Sequence, residues 1–317
     1  MKENKDNDLQ NGHKIEEFSL KEFFKNMIFG FPIGVAFIIP GFSGGSVAAI
    51  LGIYEKMINA ITEIFRHMKR SILTLMPIGI GLVIGAVSLL FPLGWALDSY
   101  AIPTVSLFVG LAIGGIPAIT DKISVKPSGK NIAAFLIPFA VAIALCFIPT
   151  GADVNLFDLN IGGYALLFLV GMLGSSALVV PGISGSMLLL ILGYYNPIIK
   201  MITQHFFRGE DLTSCILVFA SCGTGIGVGF LLISFIMKHM LSKYPRGTYF
   251  AIVGFIIGSL PTVYVSTMKD AGMLSSAMKL VWLPSSPVYW ISSVMLVALG
   301  ILASYSLVRY SRKHENR

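Results

Sequence analysis

Charged residues are scarce in this sequence: Asp, Glu, Lys and Arg make up 12% of its 317 residues, whereas hydrophobic residues make up 55%. Because about 25% of charged residues is usual for a soluble domain, the composition excludes one and predicts an integral membrane protein. The 23 Lys and Arg residues exceed the 16 Asp and Glu residues. They lie in short gaps between apolar runs rather than on one folded face, which excludes a nucleic-acid-binding surface.

Residues that bind metals or form disulfides are also few. The three cysteines lie within or at the edge of apolar runs and form no CxxC pair, and the five histidines show no HxxxH spacing. An odd number of cysteines in apolar surroundings predicts packing residues. We therefore expect no metal site and no cofactor.

Eight apolar runs are each about 18 residues or longer, the length that a membrane-spanning helix needs. They lie near residues 28–53, 72–95, 101–119, 131–149, 163–195, 213–237, 247–265 and 288–308. Residues 1–27 form a polar N-terminal segment whose apolar residues recur at roughly helical spacing. This spacing is typical of an amphipathic helix at the membrane surface, and a disordered tail is the alternative.

The two halves of the sequence are duplicates. Residues 30–61 align without a gap on residues 171–202, and 12 of the 32 positions are identical. The match continues further along the chain, where VGLAIGGIP in the first half aligns with VGFIIGSLP in the second. Each half carries a Pro-Gly-x-Ser-Gly motif, which begins at Pro40 and at Pro181. The sequence therefore predicts two copies of one structural unit.

Each motif interrupts the first apolar run of its half. Proline removes a backbone donor and glycine relaxes the backbone, so each run is expected to split into two limbs. The limb over residues 28–39 is 12 residues long, or about 18 Å of helix, and crosses only part of a hydrocarbon core of about 30 Å. The limb before Pro181 is longer, so in the second half a pair of full membrane spans stays open as the alternative to a hairpin.

The positions of the basic residues favour hairpins over full spans. If every run crosses once, the basic residues divide almost equally between the two sides of the membrane. If both motif runs return to the side they entered, 19 of the 23 lie on the cytoplasmic side, as the positive-inside rule requires. Both termini are then cytoplasmic, and three spans in each half turn the second half upside down.

We therefore predict an all-α polytopic membrane protein built as an inverted repeat. Each half contributes one re-entrant helical hairpin and about three transmembrane helices. The first repeat covers residues 28–150, the second, inverted repeat covers residues 163–308, and residues 309–317 form a basic cytoplasmic tail.

The two motifs predict an anion site near the middle of the membrane. Free N–H groups at helix starts, glycines that permit close approach and several hydroxyls meet there, and this combination suits phosphate or carboxylate. Two such segments that face each other across the repeat axis resemble the sites of broken-helix transporters. The alternative is that Gly and Ser only allow tight packing, as we expect for the GxxxG spacings elsewhere. The predicted anion-binding residues are Pro40, Gly41, Ser43, Gly44, Gly45, Ser46, Pro181, Gly182, Ser184, Gly185 and Ser186.

No Lys or Arg lies within an apolar run, so helix ends and hydroxyls must hold an anion at this depth. Glu55, just after the first motif, and its repeat counterpart Asn196 are the candidates for coupling or gating. A proton or a sodium ion is the coupling ion to test, and an ordinary interfacial carboxylate is the alternative role for Glu55. Tyr54 and Tyr195 are expected to be interfacial aromatic residues.

These residues resemble the bacterial polyprenyl-phosphate transporter family. The segments FIIPGFSGGSVAAILGIYE and VVPGISGSMLLLILGYYNP and the later VGxxIGxxP pair carry the resemblance, which covers nearly the whole chain after about residue 25. It implies a multi-pass protein of the bacterial plasma membrane that is not an enzyme. Its role would be to return undecaprenyl phosphate from the outer to the inner leaflet, recycling the carrier lipid for peptidoglycan and teichoic acid synthesis. The motif residues would hold the phosphate, and the prenyl tail would stay in the lipid.

Two other functions stay open. The integral-membrane undecaprenyl-diphosphate phosphatases also use inverted repeats with hairpins and a PGxSRS motif, but here Gly45 and Ser186 stand at the Arg position. Their acidic ExxxE partner is missing as well, which argues against phosphoryl chemistry. A small-anion or ion carrier would need only the polar motif residues. A cavity open sideways to the bilayer would favour a lipid, and one open only to water would favour a soluble ion.

Overall fold

In its described part, the computed structural model consists of helices joined by turns and loops, with an isolated bridge between Leu274 and Leu280. The residues that it describes are 19–38, 43–121, 123, 129–148, 151–182, 185–206, 208–275 and 279–315. Within these ranges, five helical segments are long and apolar enough to cross a membrane: Met68–Leu89, Phe91–Thr120, Leu212–Lys243, Pro245–Lys269 and Pro287–Ser306. The prediction of an all-α membrane protein is confirmed.

The helices of the first half are α1 (Leu20–Ile38), α2 (Gly44–Ile50), α3 (Tyr54–Thr62), α4 (Met68–Thr120) and α5 (Gly129–Phe147). Those of the second half are α6 (Ile161–Val179), α7 (Gly185–Ile191), α8 (Tyr195–Lys200), α9 (Leu212–Lys243), α10 (Pro245–Asp270) and α11 (Pro287–Glu315). A π-helical turn, Met201–Phe206, continues α8. Both halves therefore begin with a 19-residue helix followed by a seven-residue helix.

Helix α1 begins at Leu20, within the polar N-terminal segment, so the prediction of a 12-residue first limb is wrong. The polar start of the helix is held by α3, because Lys56 Nζ lies 3.0 Å from Asn26 Oδ1 and 3.2 Å from Glu22 Oε2. Asn26 is only 4% exposed. Residues 1–18 lie outside the described residues, so their amphipathic character stays a prediction.

The two halves repeat the same backbone turns. The short helices α2 and α7 are followed by Gly52 and Gly193, with φ of 74° and 78°, a left-handed conformation that glycine adopts most readily at a helix end. Helix α4 bends at Tyr100 (φ −139°, ψ 53°), and α9 ends at Tyr244 (φ −131°, ψ 52°). These pairs coincide with aligned positions of the sequence repeat, so the backbone takes the same conformation at both aligned pairs.

A threonine hydroxyl crosses the bend in both halves. Thr104 Oγ1 donates to the carbonyl of Ala96, and Thr248 Oγ1 donates to the carbonyl of Met240, each over 3.0 Å. A bend that interrupts the helical ladder leaves carbonyl groups without an intrahelical partner, and a hydroxyl can satisfy one of them. The same kind of hydrogen bond therefore stabilises both bends.

Glycines let the first helix of each half pack parallel to the long helix that follows. A Cβ atom added to Gly81 would overlap the backbone of Met27, and one added to Gly85 would overlap that of Phe31. Because the residue numbers rise together along both helices, α1 and α4 run in the same direction. Helix α9 packs on α6 in the same way, through Gly225. The GxxxG positions are packing positions, as predicted.

The last helix of each half packs against the other half. Gly110 of α4 lies against the backbone of Val297 in α11, and Gly254 of α10 lies against the backbone of Phe135 in α5. The two halves are therefore packed against each other through the last helix of each. The sequence repeat contains no information about it, because the glycine stripes are alike in both halves.

Ion pairs bring the chain back beside the start of the first helix in each half. Lys56, just after the short α2, pairs with Glu22 at the start of α1. Lys200, just after the short α7, lies 3.1 Å from Asp153, which precedes α6. The hydrogen bonds from these lysines hold the pKa of Glu22 and that of Asp153 below their usual range. In each half, a lysine that follows the seven-residue helix therefore lies beside an acidic residue at or before the start of the 19-residue helix.

Candidate functional site

The two motif segments meet at the boundary between the halves. A Cβ atom added to Gly45 would lie 3.4 Å from both Cα and N of Pro181, and 3.4 Å from the carbonyl oxygen of Val179. The buried Tyr54 hydroxyl donates to that same carbonyl over 2.7 Å. The end of α6 is therefore seated between the start of α2 and the start of α3.

Ser43 and Ser46 place two buried hydroxyls at this meeting point. Ser43 is 4% exposed and Ser46 is 3% exposed, and neither hydroxyl has a hydrogen-bond partner among the residues that the structure describes. Ser43 is the N-cap residue of α2, yet its side chain makes no capping bond. Burying an unpaired hydroxyl costs about 1–3 kcal/mol, so a polar ligand that bonds both would be stabilised there. Because α2 has only seven residues, the case for a ligand depends on these hydroxyls rather than on a helix dipole.

The second motif ends α6 because of its proline. The residue before a proline is driven out of the helical region, and Val180 is accordingly extended (φ −82°, ψ 115°). Gly182 then takes a φ of 90°, and a Cβ atom there would lie 2.7 Å from the carbonyl carbon of Phe255 in α10. Glycine is required at this position for both its conformation and its close approach to another backbone.

Of the predicted anion-binding residues, some fall outside the described part of the chain. Pro40, Gly41 and Ser184 lie outside it, and the side chain of Ser186 is not described. Gly185 begins α7. The residues at the junction of the halves are Ser43, Gly44, Gly45, Ser46, Pro181 and Gly182.

Glu55 and Asn196, the aligned candidates for coupling, have different surroundings. The Glu55 carboxylate accepts a hydrogen bond from the hydroxyl of Tyr249 in α10, a residue of the other half. Asn196 instead donates to Asp153 Oδ1 over 3.2 Å, within its own half. The Glu55 contact thus crosses the boundary between the halves, whereas the Asn196 contact does not.

Two tyrosines correct the sequence-based interpretation. Tyr54 is 5% exposed and hydrogen-bonded in the interior, so its prediction as an interfacial residue is wrong; Tyr195 is half-buried. Sequence reasoning also missed Tyr249, which is 8% exposed. Its aligned counterpart in the first half is Val105, and the sequence carries no signal of its contact with Glu55, because the two residues are 194 positions apart in the chain.

An apolar cavity of about 420 Å³ adjoins the motif junction. Gly44 and Gly45 form part of its wall, and Val179 and Phe230 contribute from the other half. The volume lies within the range of about 300–1,000 Å³ that is usual for small-molecule sites. The junction therefore combines two unpaired hydroxyls with an apolar space beside them.

Lys238 of α9 is a basic residue near the edge of this region. Lys238 Nζ lies 2.8 Å from Glu63 Oε1, and this hydrogen bond holds the pKa of Glu63 below its usual range. Lys238 follows Phe230 by eight residues on α9, which is about 12 Å along the helix. In the described part of the chain, no cluster of three or more His, Cys, Asp or Glu residues is placed to hold a metal ion.

Comparisons with known proteins agree in one family. Residues 33–280 match the family model described as undecaprenyl phosphate translocase-like. A polyprenyl-phosphate transporter of Staphylococcus aureus (strain NCTC 8325 / PS 47) is 30% identical over 293 residues, covering 92% of this chain and 98% of the relative. A polyprenyl-phosphate transporter of Vibrio cholerae serotype O1 is 24% identical over 318 residues, covering 90% of this chain and 96% of the relative. No solved structure matches.

Proposed function

The chain belongs to the undecaprenyl phosphate translocase-like family, and on that premise we propose that it carries polyprenyl phosphate across the bacterial plasma membrane. The proposed direction is from the outer to the inner leaflet, which recycles undecaprenyl phosphate for peptidoglycan and other cell-envelope synthesis. The relatives in Staphylococcus aureus and Vibrio cholerae are named for transport of this class of lipid. The protein acts as a transporter rather than as an enzyme.

The observation that carries the proposal is the pair of buried, unpaired hydroxyls at the junction of the motifs. The Ser43 and Ser46 hydroxyls bond the phosphate, and Gly44 and Gly45 allow it to approach the backbone closely. A charged acceptor forms stronger hydrogen bonds than a neutral one, so a phosphate benefits from this site more than a neutral headgroup does. Ser184, Gly185 and Ser186 act from the second motif in the same way.

We propose that the 19-residue and seven-residue helices of each half form re-entrant hairpins. Parallel packing of α1 on α4 supports this, because two parallel neighbours require the intervening chain to return. The Lys56–Glu22 and Lys200–Asp153 ion pairs support the same return at the base of each hairpin. At about 10 Å, α2 and α7 are too short to cross the hydrocarbon core.

The direction of the long helices supports an inverted arrangement of the halves. Helix α4 starts just after Glu63, whereas α9 reaches Glu63 near its end, at Lys238. The two equivalent helices therefore run in opposite directions relative to this edge. The 19-to-4 division of basic residues places this edge, and both chain termini, in the cytoplasm.

Transport proceeds by rocking of the halves about the motif junction, as in other repeat transporters. The Tyr54–Val179, Glu55–Tyr249 and Glu63–Lys238 contacts all join the halves on the cytoplasmic side and must break for the site to open there. Glu55 is the residue through which a proton or sodium ion would be coupled. The corresponding Asn196 contact stays within one half, so it does not join the two halves as the Glu55 contact does.

The cavity favours a lipid over the alternative of a small-anion carrier. A soluble anion gains nothing from an apolar space of about 420 Å³ beside its site, whereas a prenyl chain does. The absence of an Arg at the motif position of the phosphatases, where Gly45 stands, argues against phosphatase activity.

Purified protein in liposomes tests the proposal. A fluorescent polyprenyl phosphate is placed in both leaflets, and the outer-leaflet label is quenched with a membrane-impermeant reagent. We expect rapid loss of the protected half in proteoliposomes and slow loss in empty liposomes, with no phosphate released from polyprenyl diphosphate. Equal rates in the two vesicles under proton and sodium gradients would contradict transport, and phosphate release would establish the phosphatase instead.

A further inference from the structure

The apolar cavity beside the motif junction is lined by residues of both halves and is partly open to its surroundings. Removing apolar surface from water is favourable, so an apolar group that covers this wall is stabilised there. A space of about 420 Å³ at the boundary of the two halves therefore favours an apolar occupant.

The wall of the cavity connects it to the polar site. Gly44 and Gly45, which stand between Ser43 and Ser46 in the chain, line the cavity, and Ala48 lines it one turn further along α2. The residues that carry the two hydroxyls are therefore chain neighbours of the cavity wall. A molecule with a phosphate joined directly to a hydrocarbon chain matches this order of groups.

The side of the cavity formed by α4 and α9 borders the lipid-facing surface. Leu82 and Phe230 line the cavity and are half-buried. Their neighbours Val83 and Val228 are 57% and 48% exposed on the outside of the molecule. A chain too long for the cavity therefore has an exit between these two helices into the bilayer.

We propose that this cavity is the binding site for the first isoprene units of the carried lipid, and that the rest of the chain leaves between Leu82 and Phe230. The inference rests on the proposed function and adds a second recognition element to it. The phosphate provides the anchor, and the branched chain next to it provides selectivity over lipids whose phosphate is attached to a glycerol backbone. Such a backbone does not fit an apolar wall without leaving its ester oxygens unpaired.

Met57 on α3 provides a substitution that fills the cavity without changing the polar residues. It lines the cavity and is half-buried. Met57→Trp occupies the space that the chain would take. Val87→Trp is the matched control, because it places the same residue on the outer face of α4, where Val87 is 63% exposed. We expect Met57→Trp to lower the initial rate of polyprenyl phosphate transport at least roughly tenfold, and Val87→Trp to stay within about twofold of the wild type.

A photoreactive probe tests the occupant directly and does not depend on a variant that folds. Geranylgeranyl phosphate with a diazirine on its first isoprene unit is irradiated with wild-type protein in liposomes, and the labelled peptides are identified by mass spectrometry. We expect label on residues 54–61 and on Leu178 or Val179. Excess unlabelled geranylgeranyl phosphate should remove this label, and excess phosphatidylglycerol should leave it.

The outcomes separate the cavity from the proposed function. Transport by wild type with normal rates in Met57→Trp, or label that falls outside the cavity, overturns the cavity inference and leaves the transporter standing. Label removed equally well by phosphatidylglycerol assigns the cavity to an ordinary acyl chain and also overturns the inference. No transport by wild type under any gradient overturns the proposed function itself.

Discussion

Gly45 is the position where the contact between the two motifs can be perturbed most directly. Its added Cβ would lie 3.4 Å from the Pro181 backbone and from the Val179 carbonyl oxygen, so an alanine fits with ordinary van der Waals contacts. In a helix, alanine is favoured over glycine by at most about 1 kcal/mol, and we expect Gly45→Ala to fold at least as well as wild type. The remaining carbons of a leucine have no such space, because backbone atoms rather than flexible side chains stand in their way.

The expected cost of Gly45→Leu is about 1–3 kcal/mol, the usual range for overpacking a well-packed interior. Because the strain falls on the junction about which the halves rock, we expect the initial transport rate to fall at least roughly tenfold, since about 1.4 kcal/mol corresponds to a factor of ten. Gly79→Leu is the matched control: it places the same residue on α4, where an added Cβ meets nothing within 4 Å.

Two measurements on each variant distinguish the possible results. Initial rates in proteoliposomes report transport, and the midpoint of thermal unfolding in detergent reports stability. We expect Gly45→Leu to lose transport while still inserting into the membrane, and Gly45→Ala and Gly79→Leu to transport at near wild-type rates. If Gly45→Leu matches Gly79→Leu in both rate and midpoint, the two motifs do not meet as described and the site assignment is wrong.

Three further substitutions test separate parts of the site. Ser43→Ala and Ser46→Ala should each raise the apparent KM for polyprenyl phosphate by a factor that corresponds to about 1–3 kcal/mol, with unfolding midpoints no lower than that of wild type because each change removes a buried, unpaired hydroxyl, and an unaltered KM in both would remove the hydroxyls from the site. Glu55→Gln should abolish the dependence of the transport rate on a proton or sodium gradient, whereas Tyr249→Phe, which keeps the carboxylate, should retain it; full gradient dependence in Glu55→Gln would leave Glu55 an ordinary interfacial carboxylate. Gly182→Ala should lower the unfolding midpoint, because the added methyl meets the Phe255 backbone at 2.7 Å and the φ of 90° disfavours any side chain; an unchanged midpoint would contradict this geometry.

The duplication and the positions of the breaks were predictable from the sequence for a local reason. A proline drives the preceding residue out of the helix, and a glycine is needed where φ is positive, so the ends of α6 and α7 follow from Pro181 and Gly193. The use of Gly81 and Gly85 for close helix packing was visible as a GxxxG spacing, although their partner helix α1 was not. Each of these features depends on residues close together in the chain.

The start of α1 was not predictable in the same way. The apolar run near residue 28 suggested a short limb, but polar residues before it are helical because Asn26 and Glu22 find partners on Lys56. These partners lie about 30 residues away in the chain. A hydropathy profile does not include contacts between residues that are distant in the chain.

The sequence by itself determined that this is a membrane protein of two equivalent halves with a proline-glycine-serine segment in each. The tertiary structure decided which surfaces meet. It buried Tyr54 against Val179 and placed Glu55 beside Tyr249. It also packed the last helix of each half against the other half, so that Gly110 meets α11 and Gly254 meets α5. The physical reason is that small-residue stripes are compatible with many partner helices, and a tyrosine suits either an interface or a hydrogen-bonded interior. The choice among these partners depends on how all the helices pack at once.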